Sequence, residues 1–172
     1  MNKLLLAFAL LLLIVSSASA QSLDDLDAKN GFRDLKFGQA INTVKGLVPL
    51  SKDVSNDKDY RRPTDVLKIA GEPLLGITLT FYRSVLSSVR VKYATPAARI
   101  KLMQSLQIAY GYGVDSTLTA GPNGTVWIGK LVSMAIGDDS PGKGELLIQS
   151  TLVADLKKQD VEAAYKKRTG GL

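Results

Sequence analysis

The side chains that most readily do chemistry are thinly supplied in this sequence. There is no histidine and no cysteine, which removes thiolate and Cys-His nucleophiles, Ser-His-Asp triads, disulfides, covalent haem attachment and most zinc and copper sites. Carboxylate, guanidinium, ammonium and aromatic chemistry remain. The most suggestive group follows a period of two: Leu67 and Ile69, then Ile77, Leu79 and Phe81, then Val89, Val91 and Tyr93 alternate with Lys68, Thr78, Thr80, Tyr82, Arg90 and Lys92. On a sheet that polar set shares one face, with three cations and no acid. Such a face suits an anionic polymer or lipid head group, with Tyr82 as a flat contact and the threonines as hydrogen-bonding groups. It is also what the wet side of a half-buried antiparallel sheet looks like.

Just before these runs, Tyr60-Arg61-Arg62-Pro63 places two guanidinium groups beside a proline that stiffens the chain. Arginine pairs fit carboxylate or phosphate, although Asp57, Asp59 and Asp65 are near enough in sequence to neutralise them. Carboxylates for general acid and base work exist at Glu72, Asp138, Asp139 and Glu145, and two at the right separation would define a glycan or lipid hydrolase. Adjacent aspartates in a glycine-containing hairpin also simply make the turn. Asp53, Ser55, Asp57 and Asp59 alternate like a calcium loop, but Lys58 occupies the glycine position and Thr64 the final glutamate position. Gly111-Tyr112-Gly113 follows a helical pattern instead of a strand, so it supports no dinucleotide site, and Asn123-Gly124-Thr125 reads as a turn. No metal or cofactor is expected.

The elements that must position these residues can be read in order. Phe32, Leu35 and Phe37 give a short apolar segment, and Ile41, Val44 and Leu47 predict a helix starting near Gly38. Ser51 to Pro63 reads as a charged surface loop, and the three alternating runs predict a strand meander. Thr95-Pro96 is an N-cap followed by a first-turn proline, with Ile100, Met103, Leu106 and Tyr110 on one helical face. A second meander has Val126 and Ile128, Val132, Met134 and Ile136, and Leu146 and Ile148 inward. Its outward set, including Trp127, Leu131, Ala135 and Leu147, is too apolar for a wet surface, so a helix, a loop or a partner protein anchored on Trp127 should cover it. Ser150 caps a final helix in which Leu152, Val153, Leu156 and Ala163 could face the sheet. The expected class is α+β: an antiparallel sheet of about six strands in two three-strand meanders, helices on one face, order α-βββ-α-βββ-α.

The chain is 172 residues long. Residues 1–20 read as an export signal: Asn2-Lys3, an apolar run from Leu4 to Val15, then Ala18-Ser19-Ala20. That run is shorter than the roughly 20 residues a membrane-crossing helix needs, so removal of the signal should leave no transmembrane segment. Residues 21–31 are polar and acidic and read as a flexible leader, and 32–172 as one domain. The formal net charge is +6. For a periplasmic or secreted bacterial protein, a basic surface meets anionic lipid or acidic glycan, not nucleic acid.

The segments GFRDLKFGQAINTVKGL, YRRPTDVLKIAGEPLLGITLTFYRSVLSSVRVKY and GKGELLIQS resemble a set of small exported bacterial proteins of unknown function. In element order the chain is also similar to the β-lactamase-inhibitor-protein and outer-membrane assembly lipoprotein type of small domain, although it has no lipid-attachment cysteine. The resemblance implies binding or inhibition as a class and names no catalytic residue. The expected function is therefore a non-enzymatic binding module for an envelope protein or an anionic envelope component. Tyr60, Arg61, Arg62, Tyr82, Arg90 and Lys92 are the expected anion-binding residues, and Trp127 the protein contact. The alternative is a carboxylate-dependent hydrolase acting on an envelope glycan or lipid.

Overall fold

Strands that alternate apolar and polar residues place their apolar set on one face, and the longest strands here turn it toward two helices. The computed structural model describes residues 22–50, 56–116, 123–140 and 143–170. In chain order these form α1 (Leu23–Lys29), β1 (Gly31–Phe32), β2 (Leu35–Lys36), a 3-10 turn (Ile41–Thr43), β3 (Val48–Pro49), β4 (Asp57–Arg61), β5 (Lys68–Ile69) and β6 (Glu72–Pro73). There follow β7 (Gly76–Tyr82), β8 (Val85–Tyr93), α2 (Pro96–Tyr110), β9 (Val114–Asp115), β10 (Thr125–Ile128), β11 (Val132–Ser140), β12 (Lys143–Ser150) and α3 (Thr151–Arg168). The class is α+β as expected, but the main sheet has eight antiparallel strands, in the order β3-β4-β7-β8-β12-β11-β10-β9, and not six in two meanders. β5 and β6 form a separate hairpin, as do β1 and β2.

Register aligns the core. Tyr60, Leu79, Val89, Ile148, Met134 and Trp127 are successive cross-strand partners across six strands and lie on the face that meets Leu26 of α1 and Ala98, Leu102 and Leu106 of α2. Burying each such large apolar side chain stabilises the fold by about 1.5–3 kcal/mol. A bulge at Ser87 keeps Leu86 and Val89 on the same face: Thr80 pairs with Ser88 and Phe81 with Leu86, while the Ser87 hydroxyl donates to the Thr80 carbonyl at 2.9 Å. The β7–β8 turn is two residues, Arg83 and Ser84, both at positive φ, the geometry that matches strand twist in tight hairpins.

Several local expectations give way to tertiary packing. Part of the supposed leader is helix α1, closed by a capping box between Ser22 and Asp25 and anchored by buried Leu26. The helix expected after Gly38 shrinks to one 3-10 turn. Asp57–Arg61 is a strand and not a loop, while Ser51 to Ser55 lie outside the described residues, as do the signal segment and the Gly121-Pro122 loop. On α2 the buried positions are Ala98, Leu102 and Leu106, so Ile100 points to solvent. In β10 the facing is reversed: Trp127 is 2% exposed and inward, its indole N–H donating to the Gly111 carbonyl, and Ile128 faces out. A four-residue run of Thr-Val-Trp-Ile has no polar phase to orient it.

The helices do not share one face. α3 buries Val153 and touches the opposite face of the sheet, where Lys157 pairs with Asp57 and sits 5.1 Å from the Tyr82 ring. Leu152 and Ala163, expected to face the sheet, are exposed, as is the whole stretch from Val161 to Arg168. None of the described helices is long and apolar enough to cross a membrane.

One contact fixes α1 to the sheet. The Asp27 carboxylate accepts from the successive amides of Lys130, Leu131 and Val132 at 2.7–3.0 Å. Burial alone would raise its pKa, but the three amides outweigh that and hold it below the ordinary carboxylate range. Gly129 is favoured at this turn, since a Cβ there would clash with the Asp27 carboxylate and stand 2.9 Å from the Val132 carbonyl oxygen. Because the folded-state pKa is depressed, this stabilisation exists above the unfolded-state pKa and disappears as pH falls through the folded one. Asp27→Asn should lower the unfolding free energy by about 1–2 kcal/mol at neutral pH, with the difference closing in acid, as denaturant titration will show. The facing of β10 has its own check: Trp127 should emit as a buried indole and resist quenching by acrylamide.

Candidate functional site

At the end of β4 two consecutive arginines go opposite ways, because neighbouring strand residues face opposite sides. Arg62 turns toward the β1–β2 hairpin. Its Nη1 and Nη2 donate to the two carboxylate oxygens of Asp34, each at 2.7 Å, while Nε and Nη2 donate to Asp65 Oδ1 at 2.9 and 2.6 Å. This planar, two-sided grip is the geometry in which guanidinium outperforms ammonium. The Arg62 guanidinium pulls the Asp34 carboxyl down to about 2, and the two aspartates in turn raise the Arg62 pKa. Arg33, in the same hairpin turn and at a φ of 56°, donates to the carbonyls of Val66 and Lys68 at 2.7 and 3.0 Å. The segment from Arg62 to Lys68 is thereby tied down at four points.

That segment forms one wall of a cleft of about 350 Å³, within the rough 300–1,000 Å³ span of small-molecule sites. Leu67 belongs to this wall, Leu50 to the residue after β3, and Leu75 and Ile77 to the start of β7. Leu50, Leu67 and Leu75 are 49%, 49% and 61% exposed, an unusual concentration of half-wet leucine. Arg61 and Thr78 line the same cleft. Tyr60 pairs with Leu79, so Arg61 falls beside Thr78 across the β4–β7 ladder. Gly76 leaves open space, with nothing within 4 Å of a Cβ built there. Among the described residues, the Arg61 side chain makes no ion pair or hydrogen bond. It is an exposed guanidinium at the mouth of an apolar cleft.

The other expected anion-binding residues separate into those near the cleft and those engaged elsewhere. Arg90 is cross-strand partner of Thr78, and Lys92 of Gly76, so both lie on the same sheet face as Arg61. Arg90, however, pairs with Asp59, which also accepts from the Thr80 hydroxyl at 2.7 Å. Lys92 is exposed. Tyr82 lies at the far end of that face, donating to Asp160 of α3; this bond, then burial, raises its pKa. Tyr60 is on the core face, edge-on to Phe81 at 5.5 Å. Trp127, expected as the protein contact, is in the core. The outward residues of β10–β12 are not sealed by α3: Ile128, Ala135, Leu147 and Gln149 line a smaller depression of about 230 Å³.

Sequence reasoning offered Asp65 as a partner for the arginine pair, and Arg62 takes it up; it did not reach Asp34, and it placed Leu67 inward where the structure leaves it 49% exposed. Asp34 and Arg62 lie 28 residues apart, and no local pattern announces such a pair. Leu75 gave a signal, since Leu74-Leu75 is an apolar doublet of which an extended chain can bury only one member, and Leu74 is the one buried.

The carboxylates considered for hydrolysis are engaged or apart. Glu72 pairs with Lys101 of α2. Asp138 is 3.2 Å from Arg99 and accepts from the Tyr93 hydroxyl at 3.0 Å; burial, then Asp138, pushes the Tyr93 pKa up. Glu145 alternates onto the opposite face from Asp138, since its partner on β11 is Gly137. No cluster of three or more metal-ligating side chains occurs among the described residues. No protein family, curated protein or solved structure matches the chain.

The clamp has a pH signature. With a folded-state pKa of about 2 against an ordinary 3.8, Asp34 contributes stability above pH 4 that is lost as pH falls toward 2. Because the Asp34 side chain is 64% exposed, solvent screening keeps the contribution small, below about 1 kcal/mol. Asp34→Asn should lower the melting temperature slightly at pH 7, and the two melting curves should converge between pH 4 and 2.

Proposed function

We propose that this chain is a non-catalytic binding module, working in the bacterial periplasm or outside the cell, that recognises an anionic amphiphile of the envelope in the Arg61 cleft. The observation that carries this reading is the combination of half-exposed Leu50, Leu67 and Leu75 with the unpaired Arg61 guanidinium in one cleft. Leucine walls take an alkyl chain by removing its surface from water, and a guanidinium without a protein partner takes phosphate or carboxylate in a bidentate pair. Lys92, one strand beyond Gly76, adds positive potential on the same face. The excess of basic residues in the whole chain works in the same direction. The protein-partner reading loses its anchor with Trp127 in the core, so the anionic component is the better supported of the two.

Decyl phosphate, titrated calorimetrically below its micelle concentration, is a suitable probe. Wild-type protein should bind it. Arg61→Gln should weaken binding about tenfold and reduce its salt dependence while leaving the melting temperature unchanged. Leu75→Ser should weaken it several-fold through the chain alone, with the salt dependence intact. Arg90→Gln, by contrast, removes the partner of Asp59 and should act mainly on stability. Absence of binding by the wild type, or binding indifferent to Arg61, overturns the proposal.

A further inference from the structure

The cleft contains a second polar feature that the anion does not use. Asp65 is part of its lining and its side chain is 5% exposed. Its Oδ1 takes both donors from Arg62, whereas Oδ2 is buried and has no hydrogen-bond partner. A buried carboxylate oxygen with no donor is costly, because it has given up water without replacement. Natural structures satisfy nearly all such atoms, and the exceptions call for a physical explanation. The flanking residues Thr64 and Val66 are exposed, so Asp65 lies at the edge of the cleft it lines and not deep in the core.

We infer that Asp65 Oδ2 receives a hydroxyl hydrogen from the ligand, so that the cleft selects an anionic amphiphile whose phosphate carries a neighbouring hydroxyl, as a glycerol phosphodiester does. The inference rests on the proposed reading of the Arg61 cleft and adds its head-group selectivity. The two groups divide the work. Arg61 supplies a positive donor for the phosphate, and Asp65 supplies an acceptor that a fully ionised phosphate or a carboxylate cannot satisfy. The clamp keeps this acceptor in place: Oδ1 is held by Arg62, which is itself held by Asp34. A ligand hydroxyl therefore meets a carboxylate that is already oriented, which favours selectivity over a donor-free analogue.

Two probes of equal charge and chain length isolate the hydroxyl: decyl glyceryl phosphate and decyl methyl phosphate. Wild-type protein should bind the glyceryl diester about tenfold more tightly. Asp65→Asn, whose remaining carbonyl can still accept from Arg62, should bring the two affinities together by weakening the glyceryl diester alone. Asp34→Asn loosens the clamp that orients Asp65 without removing Oδ2, so it should shrink the ratio without abolishing it. Arg61→Gln should weaken both probes alike. Equal wild-type affinity for the two probes, with Arg61→Gln weakening both, overturns the Asp65 inference and leaves the anionic reading standing. Failure of both probes to bind, or indifference of both to Arg61, removes the anionic reading itself, and the Asp65 inference with it. Should Asp65→Asn fail to fold, the wild-type ratio and the Asp34→Asn ratio still decide the question.

Discussion

The guanidinium of Arg62 is the constraint on which the rest of the site depends. It is the last strand residue's successor at β4, its side chain is 13% exposed, and two aspartates from different parts of the chain hold it. A charge this far out of water is tolerable only with its donors filled, so its partners must arrive together or the arrangement fails. The β1–β2 hairpin is thereby brought against the turn that follows β4. Leu67 takes its position in the wall from that turn, and the strand's alternation sends Arg61 the other way. The unpaired cation and the apolar wall thus follow from the pairing of its neighbour.

How much of this was legible depended on whether the information was local. The N-caps Thr95 and Ser150 and the alternation of Val89, Val91 and Tyr93 are local, and α2, α3 and β8 appear where those signals place them. β4 was hidden because Asp-Lys-Asp-Tyr-Arg carries no apolar rhythm: its outward residues are charged for pairing with Tyr82-side and Thr80-side neighbours, and only Tyr60 meets the core. β10 was legible as a strand and illegible in facing, since every side chain in Thr-Val-Trp-Ile tolerates burial. Register, and the pairing of Trp127 with Met134, decided it.

The electrostatics of the open sheet face show the same division. A three-strand reading gives that face cations and no acids. The acids come from elements the reading did not place beside it: Asp59 from β4 onto Arg90, and Asp160 from α3 onto Tyr82 and Arg83. A basic face inferred from a few adjacent strands is an upper bound, because distant elements neutralise it when the sheet widens. Arg61 escapes because its strand neighbour Arg62, and not Arg61, meets the nearby carboxylates.

The pairing of β8 with β12 joins residues 88–93 to residues 144–149 and, among the described residues, is the only ladder between the two halves of the main sheet. A contact so distant in sequence must close a long loop before it gives anything back, and such contacts slow folding. Until that seam forms, β8 and β12 each present an unsatisfied edge, and the half-sheets are the species most open to pairing with another chain. β12, made long after the β7–β8 hairpin, is therefore the strand that protects that hairpin from aggregation.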